Sequence, residues 1–448
     1  MANKHLGALD ESTTKSIMDA YLKDDKNTLT RHALSRSNLS DVTFVSSSKT
    51  NLNNVFSIDL KTMPVCNQKQ SGRCWIFAAL NILREIIGKK CKIKNFELSQ
   101  NYISLYDKIE KANFALESII TLCQYSPNQR VYQYILNCPI SDGGQWDMFV
   151  NLVLKYGLMP KDAFIETSQS EATRETDFLV NAYIRKFAFE ATTLAKEKKM
   201  TEVRKLKDKY MEQIYGMFLS AFGVPPKKFD FRYTDEKDKF HCEENYTPMS
   251  FFEKYIGKDV LESFQSLINS PTKDKPYKRN YTVDYLGNVI EGRPINHLNV
   301  SMSRMKEAII AQLSDGNPVW FGSDVSFYRD RVGGCWDDNA FDYKTMFGND
   351  LDFDKGGMLD FRHSAMNHAM VITGVDLKDG KIVKWKIENS WGSDNGHAGY
   401  YIMSSSWFDK FVYQAVVDRK YLNKVELDAI KKEPIHLDPW DPMGTLAD

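Results

Sequence analysis

The sequence predicts an α+β fold in which a helical part and a β-rich part are separated by a long helical insertion. Three observations lead to this prediction. A strongly apolar helix is expected over residues 74–87, and a charged, mostly helical stretch follows from about 160 to 300. Short strand patterns then cluster after Met305. Separate helical and strand-rich regions of this kind favour an α+β arrangement over alternating βαβ units.

The first expected elements are helices. Residues 11–24 have the spacing of a short amphipathic helix. The helix beginning at Cys74 is apolar on nearly every side, so we expect it at the centre of a domain. Its main apolar face carries Ile76, Ala79, Leu80, Leu83, Ile86 and Ile87. Gly88, followed by two lysines, predicts the end of this helix.

The insertion is rich in Lys, Glu and Asp, with helical patterns over residues 171–210 and 249–267. Its charge runs mix both signs, which is typical of a solvated face rather than of a ligand site. After it we expect a helix over 305–313 and a buried strand over 318–321. Three further strands are predicted at 369–375, 382–388 and 399–403, and Asp379-Gly380 predicts a hairpin turn between the first two.

Bulk composition excludes several classes of protein. The 448 residues contain 59 Lys+Arg and 59 Asp+Glu, so no net field favours nucleic acid or an anionic membrane. Hydrophobic residues make up 42% and aromatic residues 12%, which indicates a packed globular chain. The first thirty residues lack an apolar signal core, and no stretch approaches the ~18 apolar residues of a membrane span. We therefore expect a soluble cytoplasmic protein.

The seven cysteines do not form a disulfide or metal framework. Their odd number and unpaired spacing argue against disulfides, as expected for a reducing compartment. No CxxC or HExxH motif is present, so no metal and no cofactor are expected. Most of these thiols should be small buried hydrophobic groups, but Cys74 has a different setting.

Cys74 is expected at the N-terminus of the apolar helix. The positive end of the helix dipole favours a thiolate there, and the free N–H groups of the first turn can hold an anion. Gln68, six residues earlier, could supply a second donor to the same oxyanion. An isolated cysteine at such a place is more often a core residue, so the interpretation of Cys74 depends on its partners.

His368 and Asn389 are the partners that change this interpretation. In ideal two-residue hairpin register, His368 lies opposite Trp391, and Asn389 lies two positions away on the same face. The Asn oxygen would then accept a hydrogen bond from one ring nitrogen and leave the other facing the thiol. His363 and His397 are alternative bases, but neither has an Asn placed across a hairpin.

These segments resemble the papain family of cysteine peptidases in motif and in chain order. The resemblance is carried by Gln68, by Ser71-Gly72-Arg73-Cys74-Trp75, by Asn367-His368-Ala369 and by Glu388-Asn389-Ser390-Trp391-Gly392. Ser71 stands where the family usually has Cys, and Ser141-Asp142-Gly143-Gly144 resembles its substrate-cleft segment, again with Ser for Cys. Loss of both partners of that family disulfide is what a reducing compartment predicts. Cys74 and His368 are farther apart in the chain than the corresponding residues of papain-type enzymes, and the surplus is about the length of the helical insertion.

Within that family, nearly the whole chain is similar to the bleomycin hydrolase/aminopeptidase C branch. Further support comes from residues 142–148 and from the closing Pro439-Trp440-Asp441-Pro442-Met443-Gly444. The resemblance implies a papain-like fold divided into a 1–60 N-terminal arm, a helical 61–160 L-domain, the 161–300 insertion, a β-rich 301–433 R-domain and a 434–448 C-terminal arm. It also implies a homohexamer, with the arm lying in the cleft of its own subunit.

The resemblance further implies an aminopeptidase that acts on peptide substrates. The terminal carboxylate would pair with the substrate's α-ammonium: that of Ala447 if Asp448 is trimmed, or that of Asp448 with its extra charge if it stays. Cys74 would attack the first peptide carbonyl, and Gln68 with the Cys74 N–H would stabilise the oxyanion. His368 would move the protons, Trp391 would shield the His–Asn hydrogen bond, and Gly143 and Gly144 would bind extended substrate.

Several alternatives stay open at the level of sequence. Endopeptidase action on the same triad requires only that the tail does not block the cleft. Acyl transfer of the transglutaminase kind generally uses Asp where this chain has Asn389. A bleomycin-type amide hydrolase with accessory nucleic-acid binding is a further possibility, although the zero net charge makes nucleic-acid binding unlikely.

Overall fold

The computed structural model describes residues 7–349 and 351–447. Helices occupy much of the first half and a large sheet occupies the second half, which confirms the predicted α+β class. Within these described residues, no helix is both long and apolar enough to cross a bilayer.

The helices and strands have the following bounds. The helices are α1 (Glu11–Leu22), α2 (Asp25–Leu34), α3 (Leu39–Thr43), α4 (Cys74–Cys91), α5 (Gln100–Leu122), α6 (Arg130–Asn137), α7 (Trp146–Tyr156), α8 (Ser168–Glu171), α9 (Arg174–Lys196), α10 (Met200–Phe222), α11 (Pro248–Tyr255), α12 (Lys258–Glu262), α13 (Met302–Ser314), α14 (Tyr343–Phe347), α15 (Lys355–Asp360), α16 (Ser405–Phe411) and α17 (Lys424–Ala429). The strands are β1 (Ile58–Asp59), β2 (Phe229–Thr234), β3 (Phe240–Tyr246), β4 (Phe264–Ile268), β5 (Arg279–Val283), β6 (His297–Asn299), β7 (Val319–Ser323), β8 (Arg329–Asp330), β9 (Cys335–Trp336), β10 (His368–Lys378), β11 (Lys381–Glu388), β12 (Tyr400–Ser404), β13 (Val412–Asp418) and β14 (Ile435–Leu437).

The chain divides into two compact units. The smaller unit comprises Met1–Asn51 and Asp338–Asp352. In its described part, α1 and α2 begin with aspartate caps, Asp10 and Asp24, whose side chains accept from backbone N–H groups of the first turn. A bridge between Phe44 and Phe341, whose rings meet edge to face, joins its two chain segments.

The larger unit comprises Leu52–Asp337 and Phe353–Asp448 and contains the main sheet. In the described residues the strand order is β14-β5-β6-β4-β13-β7-β10-β11-β12-β9-β8, and β1 also pairs with β10. Helix α4, which begins at Cys74, packs against β10. Most of its side chains are buried, including Trp75, Leu83 and Ile87, as its nearly uniform apolar character predicts.

Helix α4 is longer than the sequence predicts. It runs through Gly88 to Cys91 and ends at Lys92, which has a left-handed backbone with φ of 55°. Gly88 therefore does not end the helix. It lies inside it, where the absence of a side chain leaves room for Met63 to pack closely. A Cβ at this position would overlap the terminal methyl group of Met63.

The segment predicted as a helical insertion is helical only in part. Helices α8 to α12 lie within it, but so do the β2–β3 hairpin and the strands β4, β5 and β6. The single helix predicted over 249–267 is instead two short helices, α11 and α12, and Phe264–Ile268 is a fully buried strand. Its backbone pairs with β13, from Gln265 opposite Val417 to Ile268 opposite Gln414. Sheet pairing has therefore overridden the local helical preference of this segment.

The predicted hairpin between β10 and β11 is present. Asp379 and Gly380 both have positive φ, 51° and 73°, as a two-residue turn of this kind requires. The predicted register holds at both ends of the hairpin. It slips by one residue between two irregularities in the middle. Because the slips cancel, Val371 still lies opposite Glu388, at the end of the paired region next to His368 and Asn389.

Candidate active site

A cleft of about 430 Å³ opens where the N-terminus of α4 meets the start of β10. Four of the predicted site residues line it, namely Gln68, Cys74, Gly143 and His368. The remaining lining residues are Gly72, Asp142, Ala365, Met366, Asn367, Thr445 and Leu446. The last two belong to the C-terminal tail, so the tail forms part of the cleft wall.

Cys74 is the first residue of α4, as predicted, and it is 5% exposed. Its sulfur accepts a hydrogen bond from the backbone N–H of Ala369 at 3.4 Å. Burial raises the pKa of the thiol to about 11, and the nearby carboxylate of Asp142 also raises it. Hydrogen bonds from Ala369 and from the helix start oppose this shift. The helix N-terminus thus lowers the cost of a thiolate but does not outweigh desolvation.

His368 begins β10, and its Nε2 lies 2.9 Å from Oδ1 of Asn389. With the amide oxygen as acceptor, Nε2 carries the proton and Nδ1 is left as an acceptor. Trp391 stacks on the imidazole with a centroid distance of 4.8 Å. Burial lowers the pKa of His368 to about 4, whereas the bond to Asn389 raises it. The three predicted residues His368, Asn389 and Trp391 are therefore assembled as the hairpin register indicated.

Gln68 is held in place and does not swing freely toward the cleft. Its Nε2 donates to the Ser71 carbonyl oxygen at 2.6 Å, and its Oε1 accepts from the Ser390 hydroxyl at 2.5 Å. The Gln68 backbone N–H also donates to the Ser390 carbonyl oxygen. One amide hydrogen of Nε2 is engaged by Ser71, and the second stays available for an oxyanion in the cleft.

Asp142 is a site residue whose role the sequence did not reveal. One carboxylate oxygen accepts from the Gly72 N–H at 2.7 Å, two residues before Cys74. Its backbone oxygen accepts from Nε1 of Trp75. Asp142 therefore ties the turn before Cys74 to the neighbouring glycine segment, residues 143–144.

Two buried lysines of α5 hold the same segment. Lys108 lies 2.7 Å from both Asp142 and Asp177, and its ammonium donates to the Ser141 carbonyl oxygen. Lys111 pairs with Asp107 at 2.8 Å and donates to the carbonyl oxygens of Ser141 and Gly143. In the sequence these lysines look like ordinary surface charges, and only their close spacing with Asp107 hints at a shared buried role.

The C-terminal tail lies along the glycine segment. The Gly144 N–H donates to the Leu446 carbonyl oxygen at 3.1 Å, and the Ser141 hydroxyl donates to that of Ala447 at 2.5 Å. Gly143 permits this approach, because a Cβ there would overlap backbone atoms of Leu446 and Ala447. Gly144 instead makes room for the Trp75 indole. The predictions on Asp448 concern a residue outside the described part of the chain.

The two rival bases take other positions. His363 lies between the rings of Phe327 and Phe353, at centroid distances of 4.8 and 5.0 Å. His397 forms a backbone bridge with Tyr400. Neither lines the cleft that contains Cys74. In residues 7–349 and 351–447, no group of three His, Cys, Asp or Glu side chains is arranged to hold a metal ion.

Known proteins share this sequence and fold over most of their length. The model of the Peptidase C1-like family matches residues 8–444. Aminopeptidase C of Lactobacillus delbrueckii subsp. lactis is 47% identical over 404 residues, covering 89% of this chain and 90% of the relative. Bleomycin hydrolase of Mus musculus is 39% identical over 393 residues, covering 86% of each. The crystal structure of PepW from Lactobacillus rhamnosis HN001 has a TM-score of 0.95 and 41% identity, covering 98% of this chain and 99% of that one.

Proposed function

This chain belongs to the Peptidase C1-like family, in the branch of aminopeptidase C and bleomycin hydrolase, and we propose that Cys74, His368, Asn389 and Gln68 catalyse its reaction. Family membership confirms the predicted papain-like fold and the predicted class of cysteine-type peptidase. The chain is a cysteine aminopeptidase, and its substrates are peptides with a free N-terminus.

In the proposed reaction, the thiol proton of Cys74 passes to Nδ1 of His368. Burial disfavours each charge by itself, since the pKa of the thiol is raised and that of the imidazole is lowered. The thiolate and imidazolium arise together, however, and their mutual attraction offsets the desolvation of both. Asn389 holds the ring in the required tautomer through the 2.9 Å bond to Nε2.

The thiolate then attacks the carbonyl carbon of the first peptide bond. The Cys74 N–H and the free amide hydrogen of Gln68 stabilise the oxyanion, and Ser390 keeps that amide oriented. His368 protonates the departing amine, and the shortened peptide leaves. His368 next removes a proton from water, which hydrolyses the thioester and releases the N-terminal residue. Trp391 limits the access of water to the His–Asn bond.

The observation that carries the aminopeptidase assignment is the course of the tail. Leu446 and Ala447 use the polar groups of Gly144 and Ser141, which an extended substrate on this side of Cys74 would need. Substrate can then extend from Cys74 in only one direction. In this proposal the chain-terminal carboxylate pairs with the α-ammonium of the first substrate residue, Gly143 leaves room for the tail, and the Gly144 N–H holds it.

Deletion of residues 443–448 tests this assignment. The variant should cleave N-acetylated peptides internally. Its preference for a free α-amine over an N-acetyl group should fall about tenfold or more, because the carboxylate that pairs with the ammonium is gone. Rates on Ala-aminomethylcoumarin and on a quenched N-acetylated peptide measure the ratio. Deletion of Asp448 alone is the matched control and should keep the preference, since Ala447 then ends the chain. An unchanged ratio in the longer deletion, with normal thermal unfolding, would contradict the assignment.

Endopeptidase action is the second candidate function, and the seated tail argues against it. The bleomycin-type amide hydrolase alternative uses the same residues and differs only in substrate. We also propose the homohexamer and the cytoplasmic location that the family resemblance implies. Sedimentation of the full chain tests the first, because a particle of six chain masses is expected.

A further inference from the structure

We propose that Arg329 and Arg331 form a subsite that binds a carboxylate of the departing peptide, on the side of the cleft opposite the tail. This inference rests on the proposed function, because it concerns the part of the substrate that leaves after His368 protonates it. The carboxylate is either the α-carboxylate of a single departing residue or the side chain of an acidic residue directly after the cleaved bond.

Both guanidinium groups lie over Trp391. The carbon of the Arg331 guanidinium is 5.0 Å from the indole centroid, and that of Arg329 is 5.8 Å away. The same indole stacks on the imidazole of His368 at 4.8 Å. Two cations and the proposed general acid therefore contact the same indole, and the charge of Arg329 acts on His368.

Neither guanidinium group forms an ion pair or a side-chain hydrogen bond with the described residues, although the backbone of Arg329 pairs with that of Trp336 in the sheet. Asp324, whose charge acts on Arg329, is already engaged by Ser364, Asn367 and the Ser326 N–H at 2.7 to 2.8 Å. Arg329 is half-buried, and burial together with the charge of Arg331 lowers its pKa. An anion bound between the two guanidinium groups would reduce their electrostatic repulsion.

Tyr401 supplies an independent sign of a ligand at this place. Its side chain is 1% exposed, its ring meets Trp391 edge to face at 5.9 Å, and its hydroxyl has no hydrogen-bond partner among the described residues. Both arginines act electrostatically on this hydroxyl. A buried hydroxyl normally finds a partner, so an oxygen of a bound carboxylate would satisfy it.

The direction of the substrate connects this subsite to the reaction. The tail occupies the side of the cleft formed by Ser141 and Gly144. The chain beyond the cleaved bond must then run past His368, which donates the proton to its amine. Trp391 covers that imidazole, so the first departing residue lies against the indole and its carboxylate comes within reach of the arginines.

The experiment compares substrates that differ by one charge. Ala-Gly against Ala-Gly-amide tests the α-carboxylate, and Ala-Glu-amide against Ala-Gln-amide tests the side chain. In the wild type, the charged member of at least one pair should have the higher kcat/KM. In Arg331→Gln and in Arg329→Gln/Arg331→Gln, that preference should fall by roughly three- to tenfold, mainly through KM. Raising the salt concentration should reduce the wild-type preference as well, because Arg331 is exposed.

Arg279→Gln is the matched control, since Arg279 is an exposed arginine at the start of β5, and it should keep the preference. The inference is overturned if both members of each pair lose activity equally, or if neither variant changes the ratio. Hydrolysis of Ala-aminomethylcoumarin, which has no carboxylate, tests the aminopeptidase activity independently of the arginine subsite. Absence of this activity in the wild type contradicts the proposed aminopeptidase, whereas its presence without any charge preference contradicts only the arginine subsite.

Discussion

The two sides of the cleft are held in place by different forces. The helical wall, residues 72–75 and 141–144, is fixed by buried charges: Lys108 and Lys111 clamp the glycine segment, and Asp142 bonds the Gly72 N–H. The strand wall, residues 368–369 and 389–391, is fixed by sheet pairing and by the stacking of Trp391 on His368.

This difference has an energetic consequence. Buried charges stabilise only as complete groups, because a remaining ion without its partner costs several kcal/mol. Sheet pairing and ring stacking are spread over many small contributions, so the loss of one side chain there is better tolerated. We therefore expect the helical wall to be the more fragile in stability, while the chemistry depends on both walls.

The largest expected effect comes from the reacting atom of the helical wall. Cys74→Ala should reduce kcat by about 10⁴-fold or more, because no other group can form the thioester. Labelling by an epoxide inhibitor of papain-like thiols should also be lost. Cys138→Ser, at an exposed cysteine that does not line the cleft, is the control and should retain labelling. Labelling that persists in Cys74→Ala would contradict the assignment of the nucleophile.

The next effect concerns the charges behind that wall. Lys108→Met leaves the partly buried Asp142 and Asp177 without their cation and should lower the free energy of unfolding by about 3–5 kcal/mol. The control is Lys258→Met, an exposed lysine with Glu262 one helical turn away, which should cost less than about 0.5 kcal/mol. Urea unfolding of both variants measures the difference. Similar losses in the two would show that buried charge does not distinguish the helical wall.

The smallest expected effect is a dependence of stability on pH that comes from His368 in the strand wall. The pKa of His368 falls from its ordinary 6.5 to about 4 on folding, so its contribution to stability is complete above pH 6.5 and is lost as pH falls toward 4. This amounts to about 3 kcal/mol at most. Lys108 lowers the pKa of Asp142, so this carboxylate of the helical wall stays ionised throughout that window.

Unfolding of His368→Gln at pH 7 and pH 4.5 measures this contribution, and the variant should lose less stability than the wild type. His297→Gln is the parallel case, since burial lowers the pKa of His297 to about 4 as well. His297 lies outside both walls. Its removal should reduce the loss of stability at low pH while the His368–Asn389 hydrogen bond stays intact. If the wild type and His368→Gln lose the same free energy of unfolding between pH 7 and pH 4.5, His368 does not contribute to acid sensitivity as predicted.

Much of the site could be predicted because its signals are local. The position of Cys74 follows from an apolar periodicity that starts at that residue, and the hairpin register follows from Asp379-Gly380. The strands β4 to β6 could not be predicted in the same way. Their short buried runs resemble helix segments, and only pairing with β13 and with one another makes them strands.

The sequence by itself determined the fold class, the family and the residues placed in the cleft, because each depends on short-range patterns and motif order. Only the tertiary structure decided what surrounds them. Charged side chains such as Lys108 and Lys111 are usually solvated, yet here both are buried and bonded to the backbone of residues 141–143, since α5 turns that face inward. Likewise, the pairing of the tail with Gly144, and of Arg329 and Arg331 with Trp391, joins residues far apart in the chain. No local periodicity encodes such contacts, because they arise only when separate elements pack.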